Sequence, residues 1–259
     1  MIKYIKPIIK AVVPQTAKPL ILTVLYKIRT PFYIGNRVHC PCCGGNFSKF
    51  LSFVSYKVVR KNAQCPQCGS LERHRLLWLY LQNETTILSD QLRVLHFAPE
   101  YIVQKRLQKF KNLDYISTDF SSPLAKVKMD IQNIIYEDNF IDCILCFHVL
   151  DHVADDKRAI YELYRVLRPG GWAIIQSSVD LSMEKTFEDP TATTTKERLK
   201  IYGQIDLARK YGRDFVTRLI APGLIVKPIQ YGREIGEDLS KKYGISINDT
   251  FYYCTKPAL

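Results

Sequence analysis

The first 71 of the 259 residues contain no aspartate or glutamate; the first acid is Glu72. The same stretch holds Lys3, Lys6, Lys10, Lys18, Lys27, Arg29, Arg37, Lys49, Lys57, Arg60 and Lys61. It therefore carries +11 of the formal net charge of +12, while the remaining 26 basic and 25 acidic residues nearly cancel. A basic leader joined to a balanced body points to an anionic partner: a phosphate-bearing substrate, nucleic acid or an acidic membrane surface. The plainer reading, charge kept for solubility and metal-site compensation, accounts for less of it. Long apolar runs are also missing, so no segment is expected to span a bilayer. Pro7, Pro14 and Pro19 interrupt the N-terminal apolar stretch, whose best part is Leu20–Tyr26. That pattern is not the one expected of a secretory signal, so a cytoplasmic location is expected. Residues 1–36 then form a basic arm that either packs on the protein's own body, the preferred reading, or touches the inner membrane face peripherally.

What is present begins with cysteine. Cys40-Pro-Cys-Cys43-Gly44 and Cys65-Pro-Gln-Cys68-Gly69 form two C-x-x-C-Gly knuckles with 21 residues between them. Two thiolates from one tight turn occupy two corners of a tetrahedron, and the second knuckle supplies the other two. A full set of four leaves no open position, so Cys40, Cys43, Cys65 and Cys68 are expected to hold a structural zinc in a ribbon spanning 37–70. The segments 47–50 and 56–59 read as its strands. Disulfides are not expected without an oxidising compartment. Cys42 is a spare thiol, either an alternative ligand or a small turn residue. Cys143 and Cys146 are three apart in an apolar strand-like run, so they face opposite ways into the core, and Cys254 is read as core too. Ser70 is placed as the cap of a linking helix within 71–91, with Glu72 in its first turn. His74 is read as a surface histidine in preference to an extra ligand.

From residue 92 the chain alternates strand-like runs (93–97, 115–118, 141–147, 172–176, 224–229, 250–255) with helical patterns (101–110, 155–167). Alternation of this kind predicts an α/β, doubly wound Rossmann-like domain over 92–259, with ligands at the carboxyl ends of the strands. A polar stretch over 180–214 interrupts it and suits a lid, with Gln204, Asp206, Tyr211 and Arg213 as groups able to face a substrate.

The run from Asn139 to Gln176 joins a strand starting Phe-Ile-Asp, then His148-Val-Leu-Asp-His152-Val, a helix ending Arg-Val-Leu-Arg-Pro-Gly-Gly171, and a further strand. It resembles class I S-adenosylmethionine-dependent methyltransferases of the type-11 kind, over about residues 92–256. The Gly170-Gly171 pair is expected to stop the helix and reverse the chain. The leader followed by Ser70-Leu-Glu-Arg-His-Arg75 resembles a bacterial subgroup of these proteins with an N-terminal zinc ribbon. The resemblance implies S-adenosylmethionine as cofactor. It puts Asp119, with Phe120, at the cofactor ribose, Asp130 and Ile131 at the adenine, and Phe147 at a strand end beside the cofactor. The first loop departs from the family: where a Gly-x-Gly turn is usual, this chain has His96-Phe97-Ala98-Pro99-Glu100. Alanine adds a Cβ, and Pro99 removes an N–H and fixes φ. Altered cofactor binding through His96, Phe97, Ala98 and Glu100, binding of another ligand, and a degenerate domain all stay open; the intact ribose and adenine positions favour the first.

Methyl transfer needs a nucleophile held close to the methyl group, dry and aligned, and an alcohol acceptor gains from a base. His148, Asp151 and His152 are the candidates, with the two histidines on one face if the segment is helical; the plainer reading makes His152 a loop-orienting group. Three functions follow. The preferred one is methyl transfer to a small molecule or glycan, its acceptor in one version anionic. The second is an RNA methyltransferase using the basic ribbon, against which the chain lacks an Asn/Asp-Pro-Pro-Tyr/Phe motif and an RNA-type catalytic cysteine signature. The third is a non-enzymatic assembly module.

Overall fold

The structure is a computed structural model that describes residues 13–55 and 58–258. The first twelve residues of the arm, and Tyr56 and Lys57 of the second ribbon strand read from the sequence, lie outside the described residues. Helix α1 (Lys18–Arg29) and a short 3-10 turn lead into the ribbon. There β1 (Ile34–His39) pairs with β2 (Asn46–Phe47), and β3 (Leu51–Ser55) with β4 (Val58–Gln64), all antiparallel. The strand expected over 47–50 breaks after Phe47. Phe47 and Phe50 are both buried, and residues three apart cannot share one face of a strand, so the chain kinks between them. The ribbon starts at Ile34, inside the segment read as arm.

Helix α2 (Glu72–Glu84) connects the ribbon to the body. Ser70 does not cap it: Leu71 is the N-cap residue, and the Leu71 N–H donates to His74 Nδ1 at 3.3 Å. Arg75 is wholly buried on α2. Its guanidinium donates to Ala63 O and Ser70 O in the ribbon and to Tyr243 O and Gly244 O in the body, and it lies 4.0 Å over the Phe50 ring. Arg106 of the body donates to Pro41 O and Cys42 O of the first knuckle. One apolar cluster runs from Cys40, Phe47 and Cys65 through Leu76, Trp78 and Leu81 to Val94 and Leu145. Ribbon and body thus share a core.

Among the described residues the main sheet has seven strands, ordered β10-β11-β9-β8-β5-β6-β7. These are β5 (Leu92–Phe97), β6 (Leu113–Asp119), β7 (Val127–Lys128), β8 (Ile141–Phe147), β9 (Leu167–Gln176), β10 (Ile225–Ile229) and β11 (Phe251–Thr255). Strands β9, β8, β5, β6 and β7 are mutually parallel, and β11 is antiparallel to both β9 and β10. Cys143 and Cys146 lie on opposite faces of β8, in different core clusters. The remaining helices are α3 (Tyr101–Leu107), α4 (Asp156–Val166), α5 (Thr195–Tyr202), α6 (Phe215–Ile220), α7 (Tyr231–Glu234) and α8 (Glu237–Tyr243). Asp155 caps α4 by accepting from Arg158 N–H at 2.9 Å.

Gly170 and Gly171 do not end that helix. It stops at Val166, and the glycines lie inside β9, where the register against β8 shifts between Ile141↔Leu167 and Cys143↔Trp172. Gly170 takes φ 73°, and a Cβ on Gly171 would meet Asp142 O at 2.9 Å. The pair serves a bulge in the strand. Among the described residues, no helix is long and apolar enough to cross a membrane.

Candidate active site and metal centre

In a sheet of this order the chain leaves β5 in one direction toward β6 and β7 and later returns to β8 on its other side. Loops diverge there and open a crevice at the carboxyl ends. A cavity of about 370 Å³ occupies that place. It is lined by Phe97 and Ala98 after β5, Asp119 and Phe120 after β6, Met129 to Gln132 after β7, and His148, Val149, His152, Val153 and Ala154 after β8.

Two lining residues hold the left-handed backbone conformation that favours glycine: Ala98 at φ 44° and His148 at φ 52°. Ala98 thus keeps a glycine-like conformation where a glycine turn was missed in the sequence. Its N–H donates to Thr118 O at 2.8 Å, and that of His148 to Gln176 O at 2.7 Å. An alanine there costs roughly 1–2 kcal/mol relative to glycine, a strain of the kind that collects at functional sites.

Asp119 Oδ1 accepts from the N–H groups of Ser121 and Ser122 at 2.8 and 2.6 Å. Oδ2 has no intramolecular partner among the described residues. Asp130 is closed in a similar turn, accepting from Gln132 N–H at 2.9 Å, and Ile131 is a buried wall.

Three residues assigned to the cofactor do not line this cavity. Phe147 is buried in the core, because it is the last residue of a strand covered on both faces. His96 is fully buried on β5, with Nδ1 2.9 Å from the Tyr115 hydroxyl and Nε2 3.6 Å from Glu100 Oε2. Glu100 turns the same way, 3.8 Å from Arg73 Nε and 3.9 Å from His74 Nε2. Alternation along β5 puts Phe97 and His96 on opposite faces. Burial works against ionisation of Glu100. The neighbouring His96, His74 and Arg73 outweigh it and hold the carboxyl down at about 2. His74 is not a surface residue: its side chain is 11% exposed, and burial lowers its pKa to about 3.

The segment 148–155 is a loop, so helical spacing does not align the two histidines; both still line the cavity. His152 Nδ1 donates to Asp206 O at 2.9 Å, which leaves Nε2 as the acceptor of the neutral ring. Asp151 lines neither this cavity nor the one described next. It is buried, and its Oδ1 lies 3.9 Å from His152 Nε2. Burial, then the Arg73 charge, lowers the pKa of His148 and favours its neutral form.

A second cavity, about 580 Å³, shares His148 with the first. Arg60, Arg73 and Arg213 line it with Gln176, Ser177, Asp249 and Thr250. Within 180–214, Arg213 reaches a cavity, but Tyr211 is fully buried, donating to Leu150 O at 3.1 Å and Asp156 Oδ2 at 2.8 Å. Gln204 and Asp206 line neither cavity. Arg209 went unnoticed in the sequence because nothing local marks it. It is 3% exposed and donates to Leu150 O, Val153 O and Ala154 O, pinning the cavity loop.

The four knuckle sulfurs Cys40, Cys43, Cys65 and Cys68 lie within 4.8 Å of one another, with Cys40–Cys68 and Cys43–Cys65 Sγ separations of 3.7 Å. Tetrahedral zinc with Zn–S of ~2.3 Å requires edges of ~3.8 Å, so the donor set fits that ion. Gly44 and Gly69 both adopt φ 73° and donate to Cys40 O and Cys65 O, which gives the knuckles one shape. Ser70 Oγ sits 3.2 Å from both Cys40 and Cys68 Sγ, the role it takes in place of capping. Cys42 stands outside the four, directed at His74 O. Helix α1 packs on the second knuckle: Arg29 donates to Pro66 O and Cys65 O, and Tyr26 is buried.

Residues 86–175 match the family model described as a methyltransferase domain. The main sheet, mostly parallel with β11 antiparallel, is Rossmann-like. An uncharacterized 37.1 kDa protein in a transposon of Streptomyces fradiae is 31% identical over 104 residues, 40% of this chain. The chain spans about a quarter (26%) of that relative's length. Among solved structures, an S-adenosylmethionine-dependent methyltransferase from Mesorhizobium loti matches with TM-score 0.49 and 11% identity, over 69% of this chain and 97% of its own. Phosphoethanolamine N-methyltransferase 2 of Haemonchus contortus, in complex with S-adenosyl-L-methionine, matches with TM-score 0.46 and 15% identity, over 71% and 52%.

Proposed function

We propose that the protein is an S-adenosylmethionine-dependent methyltransferase acting on a small molecule, and that the zinc ribbon, held by Cys40, Cys43, Cys65 and Cys68, is a structural part of it. The observation that carries this reading is the meeting of two cavities at His148. The first lies at the switch point of a methyltransferase-type sheet and has a size suited to a nucleoside ligand. The second is roomy and polar, as an acceptor site must be. S-adenosylmethionine, when bound, supplies an electrophilic methyl group on a sulfonium. Asp119 Oδ2 is the acceptor available for a ribose hydroxyl, and Ile131, Met129 and Val153 offer apolar surface to a base. His148, kept neutral by burial, is suited to accept the proton of an acceptor hydroxyl. His152, tied to Asp206, orients the loop.

Calorimetric titration of zinc-loaded protein with S-adenosylhomocysteine tests this, with Asp119→Asn as the variant. Asparagine retains the oxygen that closes the 119–122 turn while losing the charge. Saturable binding weakened ~10-fold or more in the variant, the worth of a charge-assisted hydrogen bond, is the expected result. No binding in folded protein would sink the reading.

The leader supports a further contact, with an anionic lipid surface: Leu20, Val24 and Ile28 form an exposed stripe on α1 beside the exposed Lys27. Co-sedimentation with phosphatidylserine vesicles, and its loss in Val24→Glu, checks this.

A further inference from the structure

We infer that the second cavity takes its substrate by an oxyanion, a phosphate or a carboxylate, held among Arg60, Arg73 and Arg213; this rests on the methyltransferase reading above. Three guanidinium groups line this cavity, and among its lining residues Asp249 is the acid. Burial pushes the Asp249 carboxyl up from the ordinary carboxylate range. Besides Asp249, the acids nearest Arg60 and Arg73 are Glu72 and Glu100, which lie outside the lining and pair loosely. Arg60 Nη1 is 3.5 Å from Glu72 Oε2, and Arg73 Nε is 3.8 Å from Glu100 Oε1, both beyond hydrogen-bond length. Arg60 Nε and Arg73 Nε are buried with no hydrogen-bond partner among the described residues. Arg213 is exposed, with no ion pair for its guanidinium among the described residues. A buried Nε–H with no hydrogen-bond partner is costly unless a ligand supplies the acceptor, and the guanidinium fork suits phosphate and carboxylate oxygens.

The other wall has the complementary chemistry. Gln176 Oε1 and Ser177 Oγ, at the end of β9, are buried without partners, while Gln176 Nε2 is already committed to Thr250 O. Gln176 Oε1 can only accept. The substrate therefore presents a hydroxyl or amino hydrogen on the Gln176 side, adjoining His148, and its oxyanion to the arginines. The origin of the arginines also gives the fused ribbon a purpose: Arg60 comes from β4 and Arg73 from the linking helix, so ribbon and linking helix together build one wall of the substrate cavity.

The test is calorimetric titration of the zinc-loaded full chain with inorganic phosphate and, separately, with acetate. Wild type is compared with Arg213→Ala, Arg60→Gln and the control Lys200→Ala, whose lysine is exposed and outside the cavity. Zinc content and thermal melting establish that each variant is folded. The expected result is saturable binding of at least one anion, weakened at least tenfold in Arg213→Ala and Arg60→Gln and unchanged in Lys200→Ala; the better-bound anion identifies the oxyanion class. Absence of saturable binding of both anions to wild type overturns the inference, as does equal weakening in all three variants. S-adenosylhomocysteine, titrated into the same wild-type preparation, separates the two readings. Anion binding without it removes the methyltransferase function and leaves the anion site; its binding without either anion removes only the anion site.

Discussion

Arg209 offers the sharpest test of what holds the cavity loop in place. Its guanidinium donates to Leu150 O at 2.6 Å, Val153 O at 2.7 Å and Ala154 O at 2.8 Å, and pairs with Glu188 at 2.9 Å. The side chain is 3% exposed, whereas that of Glu188 is 42% exposed, so the carbonyl bonds dominate and the Glu188 pair is screened. Removing one side of a buried charged contact costs about 3–5 kcal/mol, a large part of the ~5–15 kcal/mol that holds a domain folded. Arg209→Ala is therefore expected to lose about 4 kcal/mol and to fold poorly. Arg209→Lys keeps the charge but not the fork, and about 2 kcal/mol is expected, the worth of one charge-assisted bond. The pinned carbonyls belong to the loop that carries His148, Val149, His152, Val153 and Ala154 into the cavity. S-adenosylhomocysteine affinity should accordingly fall ~10-fold or more in Arg209→Lys, alongside the urea midpoint. Stability within about 0.5 kcal/mol of wild type together with unchanged affinity would refute the reasoning. It would mean that the Tyr211, His152 and Ala208 contacts to this loop suffice.

Three further outcomes are expected. Ala98→Gly relieves ~1–2 kcal/mol of left-handed strain against ~0.4–1 kcal/mol of added chain entropy, so urea unfolding should show a net gain near 0.5–1 kcal/mol with cofactor binding retained. Cys65→Ser should abolish stoichiometric zinc by mass spectrometry and lower the melting of the whole protein in one transition, because ribbon and body share a core; a separate ribbon transition, or zinc retained with unchanged melting, would contradict this. The folded pKa of His74, about 3, lies below its unfolded value, so its contribution is present above pH ~6.5 and declines as pH falls toward about 3. Between pH 6.5 and 5 this amounts to ~2 kcal/mol for one proton, and His74→Gln, which keeps an acceptor for the Leu71 N–H, should flatten that part of the pH–stability curve.

Much of the sheet was legible because its signals are local. Both faces of β5, β6, β8 and β9 are covered, so they read as short apolar runs with few alternatives. The observed Ile141–Phe147 strand coincides with the run in the sequence. The cysteine knuckles were legible for the same reason, since each is built from five consecutive residues. Ser70 and His74 were misread because their roles depend on groups far along the chain: the Cys40 sulfur for Ser70, and Glu100 for His74. Gly170-Gly171 was misread because a helix stop and a strand bulge place the same demand on φ. Ala98 looked like a broken motif because residue identity does not report φ.

The sequence by itself determined the cysteine tetrad, the strand and helix alternation and the charge imbalance of the leader, all properties of short windows whose physics is complete within a turn or a strand. Only the tertiary structure decided which polar groups meet. It turned His96 and Glu100 away from the crevice, buried Tyr211, and brought Arg209 under the 148–154 loop. It also gathered Arg60, Arg73 and Arg213, separated by up to 153 residues, around one cavity. Their proximity depends on the shared core that docks the ribbon on the sheet, and a contact between segments so distant in sequence leaves no periodicity in either.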